Sequence, residues 1–131
     1  MTTTVRGTFE VKMQPLPPYN DAEGATAGRF ALDKQFRGEL EATSKGEMLT
    51  GGTVTKGSAG YVAIETVTGT LAGRNGTFML QHSGTMDRGA PSLTIGVIPD
   101  SGTGELEGLR GTMSIEIADG QHRYTFEYTL A

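Results

Sequence analysis

Three ionisable residues, Lys34, Glu65 and His82, occupy positions where the surrounding pattern places apolar side chains. Each lies in phase with the apolar residues of an alternating segment, and side chains alternate faces along a strand. All three should therefore point towards a buried face. Burying a charge costs several kcal/mol unless it is paired or hydrated. We expect these side chains either to pair with one another or to face water inside a cavity.

Glu65 and His82 are the candidate catalytic residues. A carboxylate beside an imidazole favours the charged imidazole, and such a pair can transfer protons. A turn centred on Gly73–Arg74 would place Glu65 directly opposite His82, whereas a turn at Asn75–Gly76 would shift the pair by four residues. A fully satisfied buried network without chemistry is the alternative interpretation.

Further polar groups, in the apolar phase of a strand or, for Tyr19, in a proline-rich loop, are candidates for ligand binding. A buried tyrosine hydroxyl needs a hydrogen-bond partner, which a ligand could supply. Tyr61 could also orient the acid/base pair. The candidate ligand-binding residues are Tyr61, Lys34, Tyr19, Tyr124 and Tyr128.

The elements that must position these residues are strands, because a two-residue apolar rhythm runs through almost the whole chain. Eight segments are predicted, at 3–14, 27–44, 47–56, 59–71, 77–87, 92–98, 104–118 and 121–130. Closure of such a sheet removes exposed strand edges. We therefore predict an all-β fold, a closed eight-stranded antiparallel meander barrel in which the last strand pairs with the first.

Glycine and polar residues predict where the strands turn. Ser44–Glu47 and Asp119–Gly120 are read as hairpin turns, the latter of type I′. Gly38 is read as a kink within a long second strand, and a bulge within 108–111 would restore the phase of the seventh. The proline-rich segment 15–26 is too long for a hairpin turn. We predict that it crosses one mouth of the barrel, with Tyr19 plugging or lining the entrance.

Composition narrows the function classes. The 131 residues predict one domain, 1–131, and the absence of cysteine excludes disulfides and thiol chemistry. Only two histidines are present, so no metal site is expected, and the absence of a P-loop or dinucleotide fingerprint predicts no other cofactor. A net charge of −4 with scattered basic residues argues against nucleic acid as a partner. No signal peptide or membrane-length apolar run is visible, which predicts a cytoplasmic protein without a membrane partner.

Three segments carry a resemblance to a known family. They are Gly57–Leu71 with Gly76–Thr85 after it, Asp100–Gly111, and Pro18–Gly24. Through them the chain resembles the bacterial domain-of-unknown-function 3224 family. The resemblance implies an eight-stranded meander barrel similar to allene oxide cyclase and more distantly to lipocalins. It implies no established activity, so no catalytic residues are carried over.

The sequence thus leads to a functional hypothesis and a rival. The hypothesis is a barrel that binds a small apolar or aromatic molecule, with an isomerase or cyclase reaction at Glu65 and His82. The rival is a non-catalytic stability or oligomerisation module with a filled interior, in which the chain forms a homo-oligomer. An enclosed cavity of a few hundred Å³ reached by Glu65 and His82 would favour the first.

Overall fold

The computed structural model describes residues 1–130, which form eight strands and one short 3₁₀ helix. The strands are β1 Thr3–Leu16, β2 Ala27–Gly38, β3 Leu40–Gly52, β4 Ala59–Leu71, β5 Arg74–Asp87, β6 Ala90–Val97, β7 Arg110–Ala118 and β8 Gln121–Thr129. The 3₁₀ helix spans Gly104–Leu106. No helix within the described range could span a membrane.

The strands form a closed antiparallel barrel in simple sequence order. Each strand pairs with the next, and β8 pairs with β1 from Thr3↔Tyr128 to Phe9↔His122. The predicted all-β meander, its closure and the Asp119–Gly120 hairpin are confirmed, since Ala118 pairs with Gln121. Closure leaves no free edge strand and directs one face of every strand inward.

One end of the barrel, here called the closed end, is filled by apolar side chains. It carries the β2–β3 and β4–β5 turns and the segment 98–109 that joins β6 to β7. Leu106 and Leu109 from that segment are fully buried in the core, with Phe36, Phe78 and Phe126. The segment is tied to β5, because the Thr103 N–H donates to the Thr77 carbonyl at 2.8 Å.

The other end, here called the open end, carries the loops 17–26, 53–58, 88–89 and 119–120. Inward-phase apolar side chains near it remain accessible, including Met13, Met86, Leu93 and Ile117. The seam between β6 and β7 is paired only at Ile95↔Met113 and Gly96↔Thr112. The barrel interior is therefore packed at one end and accessible at the other.

The second and third strands differ from the prediction. The chain turns at Gly38–Leu40, so that Phe36 pairs with Ala42, rather than continuing to residue 44. Gly38 has a φ of 116°, a conformation that glycine adopts readily. The predicted turn at Ser44–Glu47 is wrong, because these residues lie in the middle of β3.

Two further local predictions are wrong. The β4–β5 turn is formed by Ala72 and Gly73, which have φ values of 48° and 83°, so Asn75 and Gly76 belong to β5. Before β7, the out-of-phase Leu106 belongs to the 3₁₀ helix rather than to a bulged strand. The seventh strand accordingly starts at Arg110 instead of Gly104.

Candidate functional site

A buried polar cluster lies inside the barrel and consists of Lys34, Ser44, Glu65 and His82. Glu65 Oε2 accepts hydrogen bonds from Lys34 Nζ at 2.7 Å and from His82 Nε2 at 2.6 Å. Ser44 Oγ donates to Glu65 Oε1 at 2.7 Å. The Glu65 carboxylate is fully buried and is thus the centre of the cluster. The structure brings together the three ionisable residues that the sequence singled out.

The strand register explains how these side chains meet. Glu65 on β4 pairs with Leu80 on β5, while His82 pairs with Ala63. Glu65 and His82 are therefore diagonal neighbours on the inner face, and diagonal residues are within reach of long side chains. Neither the directly opposite pairing nor the four-residue shift is correct; the two-residue turn at Ala72–Gly73 gives an offset of two.

The electrostatics of the cluster favour an ionised Glu65. Burial by itself raises the pKa of this carboxyl, but the hydrogen bond from His82, the charge of Lys34 and the hydrogen bonds from Lys34 and Ser44 together lower it to about 2. Lys34 Nζ also lies 5.1 Å from the centroid of the Phe9 ring, a cation–π distance. The Lys34 and Glu65 charges thus compensate each other in the barrel interior.

The bond to Glu65 fixes the roles of the two His82 nitrogens. An ionised carboxylate only accepts hydrogen bonds, so Nε2 carries the proton shared at 2.6 Å. In the neutral ring, Nδ1 is then an acceptor. Nδ1 has no hydrogen-bond partner among residues 1–130. In that range, every side-chain nitrogen or oxygen that is fully buried does have a partner. It follows that Nδ1 keeps some accessible surface, although the His82 side chain as a whole is only 4% exposed.

Tyr61 lies beside His82 on the side towards the open end. The ring centroids of Tyr61 and His82 are 6.4 Å apart, and Tyr61 pairs with Gly84 across β4 and β5. A Cβ on Gly84 would lie 3.1 Å from Tyr61 Cδ1, so the absence of a side chain there leaves room for the ring. Burial, and secondarily the charge of Glu65, raise the pKa of the Tyr61 hydroxyl, which therefore stays protonated.

Tyr61 also lines a cavity of about 330 Å³ at the open end. Its apolar walls come from β3, β4, β5 and β6 and include Met48, Ala59, Tyr61, Met86, Pro91 and Leu93. Small-molecule sites are typically mostly apolar clefts of this size with few polar groups. Contrary to the expectation of a cavity reached by Glu65 and His82, neither residue lines it. The cavity is adjacent to the buried cluster through the Tyr61–His82 contact.

Sequence reasoning missed three residues that shape the site: Ser44, Gly46 and Gly84. Ser44 and Gly46 were assigned to a turn, but both face inward on β3, and Gly46 pairs with Glu65. A Cβ on Gly46 would lie 2.7 Å from Glu65 Cβ, so this glycine makes space for the carboxylate side chain. The signal was their shared even phase with Ala42 and Met48.

The remaining candidate ligand-binding residues lie apart from the cluster. Tyr124 is fully buried, and its hydroxyl accepts from the Leu40 N–H at 3.1 Å and donates to the Arg37 carbonyl at 3.0 Å. Tyr128 is buried in the core near the closed end, stacked on Phe126. Tyr19 is fully exposed, so it does not plug the open end, contrary to the prediction. Their roles in ligand binding stay predictions.

Metal binding has no structural basis in the part of the chain described. Residues 1–130 contain no group of three or more His, Cys, Asp or Glu side chains placed to hold an ion. Glu65, the most enclosed carboxylate, already bonds three protein groups. The groups present in the cluster can form hydrogen bonds and transfer protons.

Comparison with known proteins places the chain without giving it an activity. A family model described as "Protein of unknown function (DUF3224)" matches residues 5–128. A solved structure from Shewanella oneidensis MR-1, described as a DUF3224-family protein of unknown function, is 53% identical. It superposes with a TM-score of 0.96 over 100% of this chain and 98% of that chain. No curated protein matches the sequence.

Proposed function

Because the chain belongs to the DUF3224 family, whose description assigns no activity, we propose a function from its site: it binds a small apolar or aromatic molecule at the open end of the barrel. The observation that carries this proposal is the apolar cavity of about 330 Å³ that meets the buried cluster through Tyr61. In this proposal the barrel walls receive the apolar body of the ligand, and the polar groups beneath them orient it.

We extend the proposal to proton transfer, of the kind that an isomerase or cyclase needs. A general base needs an accessible acceptor atom and a partner that holds its other nitrogen. His82 has both, since Glu65 binds Nε2 and Nδ1 keeps accessible surface. Glu65 then acts on the ring of His82 rather than on the ligand.

The similarity to allene oxide cyclase and the cytoplasmic location both stay predictions.

A fluorescence titration tests ligand binding. We propose 1-aminoanthracene, a neutral aromatic probe, with Leu93→Glu as the site variant and Leu49→Glu as its control. Both leucines are about half exposed, at 43% and 54%, but Leu93 lines the cavity and Leu49 lies on the outer face.

The expected result is saturable binding that Leu93→Glu weakens at least about tenfold and Leu49→Glu leaves unchanged. A tenfold loss corresponds to about 1.4 kcal/mol, which burying a new charge against the probe readily exceeds. Absence of saturable binding, or an equal loss in both variants, would refute the proposal.

A second candidate function, assembly with another copy of the chain, is favoured by the outer face of the barrel. Leu49 and Val62 lie directly opposite each other there, and Ile64 is also half exposed. The Arg29–Glu47 ion pair borders this patch and presents both charge signs, so the surface is complementary to itself. Sedimentation of wild type and Val62→Lys tests it: wild type should dimerise and the variant should not, and a monomeric wild type would exclude it.

A further inference from the structure

We infer that the ligand carries a hydroxyl group, as in a phenol, an alcohol or an enol, and that this group binds to Nδ1 of His82. This inference rests on the proposed ligand binding at the open end. It adds the chemical class of the polar head, which the apolar walls alone leave unspecified. The class of polar head follows from which hydrogen-bonding atoms of the cluster are already engaged.

Glu65 has no free bonding role for a ligand. Oε1 accepts from Ser44, and Oε2 accepts from both Lys34 and His82. The side chain is 0% exposed, so a ligand would have to displace one of these partners to reach it. Lys34 Nζ donates to Glu65 Oε2 and lies over the Phe9 ring, and its side chain is 7% exposed, compared with 4% for His82.

Among the acceptor atoms of the cluster, His82 Nδ1 is the one that bonds to no protein group in the described range. Because Nε2 donates to Glu65, Nδ1 of the neutral ring offers a lone pair and needs a donor. It has no partner within residues 1–130 and is not fully buried. A hydroxyl group satisfies it, whereas a carboxylate brings only acceptors and would repel the lone pair.

Tyr61 provides the complementary group. Its ring neighbours His82 and lines the cavity, and its hydroxyl makes no hydrogen bond within the described residues. A hydroxyl group both donates and accepts, so it can serve Nδ1 as donor and the Tyr61 O–H as acceptor. Lys34 and Glu65 cancel in charge, which leaves no net positive charge to attract an anionic head.

Three matched aromatic compounds test the inference by competition against 1-aminoanthracene: 4-ethylphenol, ethylbenzene and 4-ethylbenzoate. One added hydrogen bond of ordinary strength changes affinity by about tenfold. We expect 4-ethylphenol to bind about tenfold more tightly than ethylbenzene, and 4-ethylbenzoate to bind more weakly than 4-ethylphenol. His82→Gln should abolish the preference for the phenol, and His122→Gln, which alters the other histidine, should retain it.

The outcomes separate the inference from the proposal beneath it. Equal binding of 4-ethylphenol and ethylbenzene, with aminoanthracene still bound, would overturn the inference and leave ligand binding intact. If none of the compounds and no aminoanthracene bind, ligand binding itself fails.

Nitrogen-15 NMR of the wild-type histidines gives a second readout that does not depend on a folded variant. His82 should show a protonated Nε2 and an unprotonated Nδ1, and the Nδ1 signal should shift on addition of 4-ethylphenol. A proton on Nδ1, whether in the neutral or in the doubly protonated ring, would overturn the inference.

Discussion

The Nε2 atom of His82 lies 2.6 Å from Glu65 Oε2, although the two residues do not face each other in the sheet. Glu65 pairs with Leu80, and the contact runs diagonally across the inner face. A third group, Lys34 Nζ, lies 2.7 Å from the same oxygen. One carboxylate oxygen therefore holds a cation and an imidazole in fixed positions, and loss of that oxygen should affect both.

Glu65→Gln should destabilise the barrel strongly. The amide keeps the shape of the side chain but removes the charge that compensates Lys34, and breaking a buried pair typically costs about 3–5 kcal/mol. Urea unfolding measures the loss. The matched control is Glu47→Gln, whose partner Arg29 is exposed, and surface pairs contribute about 1 kcal/mol or less. Equal losses in the two variants would show that the buried pair has no special role.

The double variant Lys34→Met, Glu65→Gln should be more stable than Glu65→Gln alone. Removing Lys34 as well takes away the uncompensated charge, and replacement of both partners by uncharged groups is often neutral. The same urea measurement applies to both proteins. A double variant no more stable than Glu65→Gln would contradict this prediction.

Acid should remove the contribution of Glu65 to stability. The folded-state pKa of about 2 lies below the ordinary value of 4.5, so the contribution is complete above pH 4.5 and disappears as the pH falls from 4.5 towards 2. With about 1.4 kcal/mol per pKa unit, the loss is on the order of 3 kcal/mol. Unfolding measured across this range should show a shallower pH dependence in Glu65→Gln than in wild type. An identical dependence in both would mean that Glu65 has an ordinary pKa.

Gly84→Ala should move Tyr61 and weaken ligand binding. The added methyl would contact the Tyr61 ring, which must then shift. Overpacking of this kind costs about 1–3 kcal/mol. Gly96→Ala is the control, because its Cβ would lie 3.8 Å from the nearest atom and Gly96 does not line the cavity. Aminoanthracene affinity should fall in Gly84→Ala and remain unchanged in Gly96→Ala; unchanged affinity in both would remove Tyr61 from the site.

The parity of the strand pairing explains which parts of the fold were visible in the sequence. Across the β2–β3 turn, even-numbered Phe36 pairs with even-numbered Ala42. The inward phase therefore continues unbroken through the turn, and the sequence reads as one long strand. At Asp119–Gly120 the inward phase changes from odd to even, and that hairpin was correctly predicted. Phase alone detects a turn only where the parity changes.

Residues with the composition of a turn that lie within strands account for the other wrong turn predictions. Ser44 and Gly46 have the composition of a turn, yet their positions are set by Glu65 on the neighbouring strand, a contact that involves residues far apart in the sequence. Asn75–Gly76 likewise resembles a turn, but Gly76 leaves room for the Thr103 carbonyl. The cluster of Lys34, Glu65 and His82 was predictable because each residue breaks the apolar phase locally. The register between Glu65 and His82 was not predictable in the same way, because it changes when the centre of the β4–β5 turn moves by one residue.

Tyr124→Phe should destabilise the β2–β3 turn. The Tyr124 hydroxyl connects the Leu40 N–H with the Arg37 carbonyl, and its loss leaves buried backbone groups unpaired at a cost of about 1–3 kcal/mol. Hydrogen exchange should accelerate at the Leu40 amide. Tyr128→Phe is the control, since the Tyr128 hydroxyl makes no hydrogen bond to residues 1–130. A loss of aminoanthracene binding in Tyr124→Phe would instead assign Tyr124 to the ligand site.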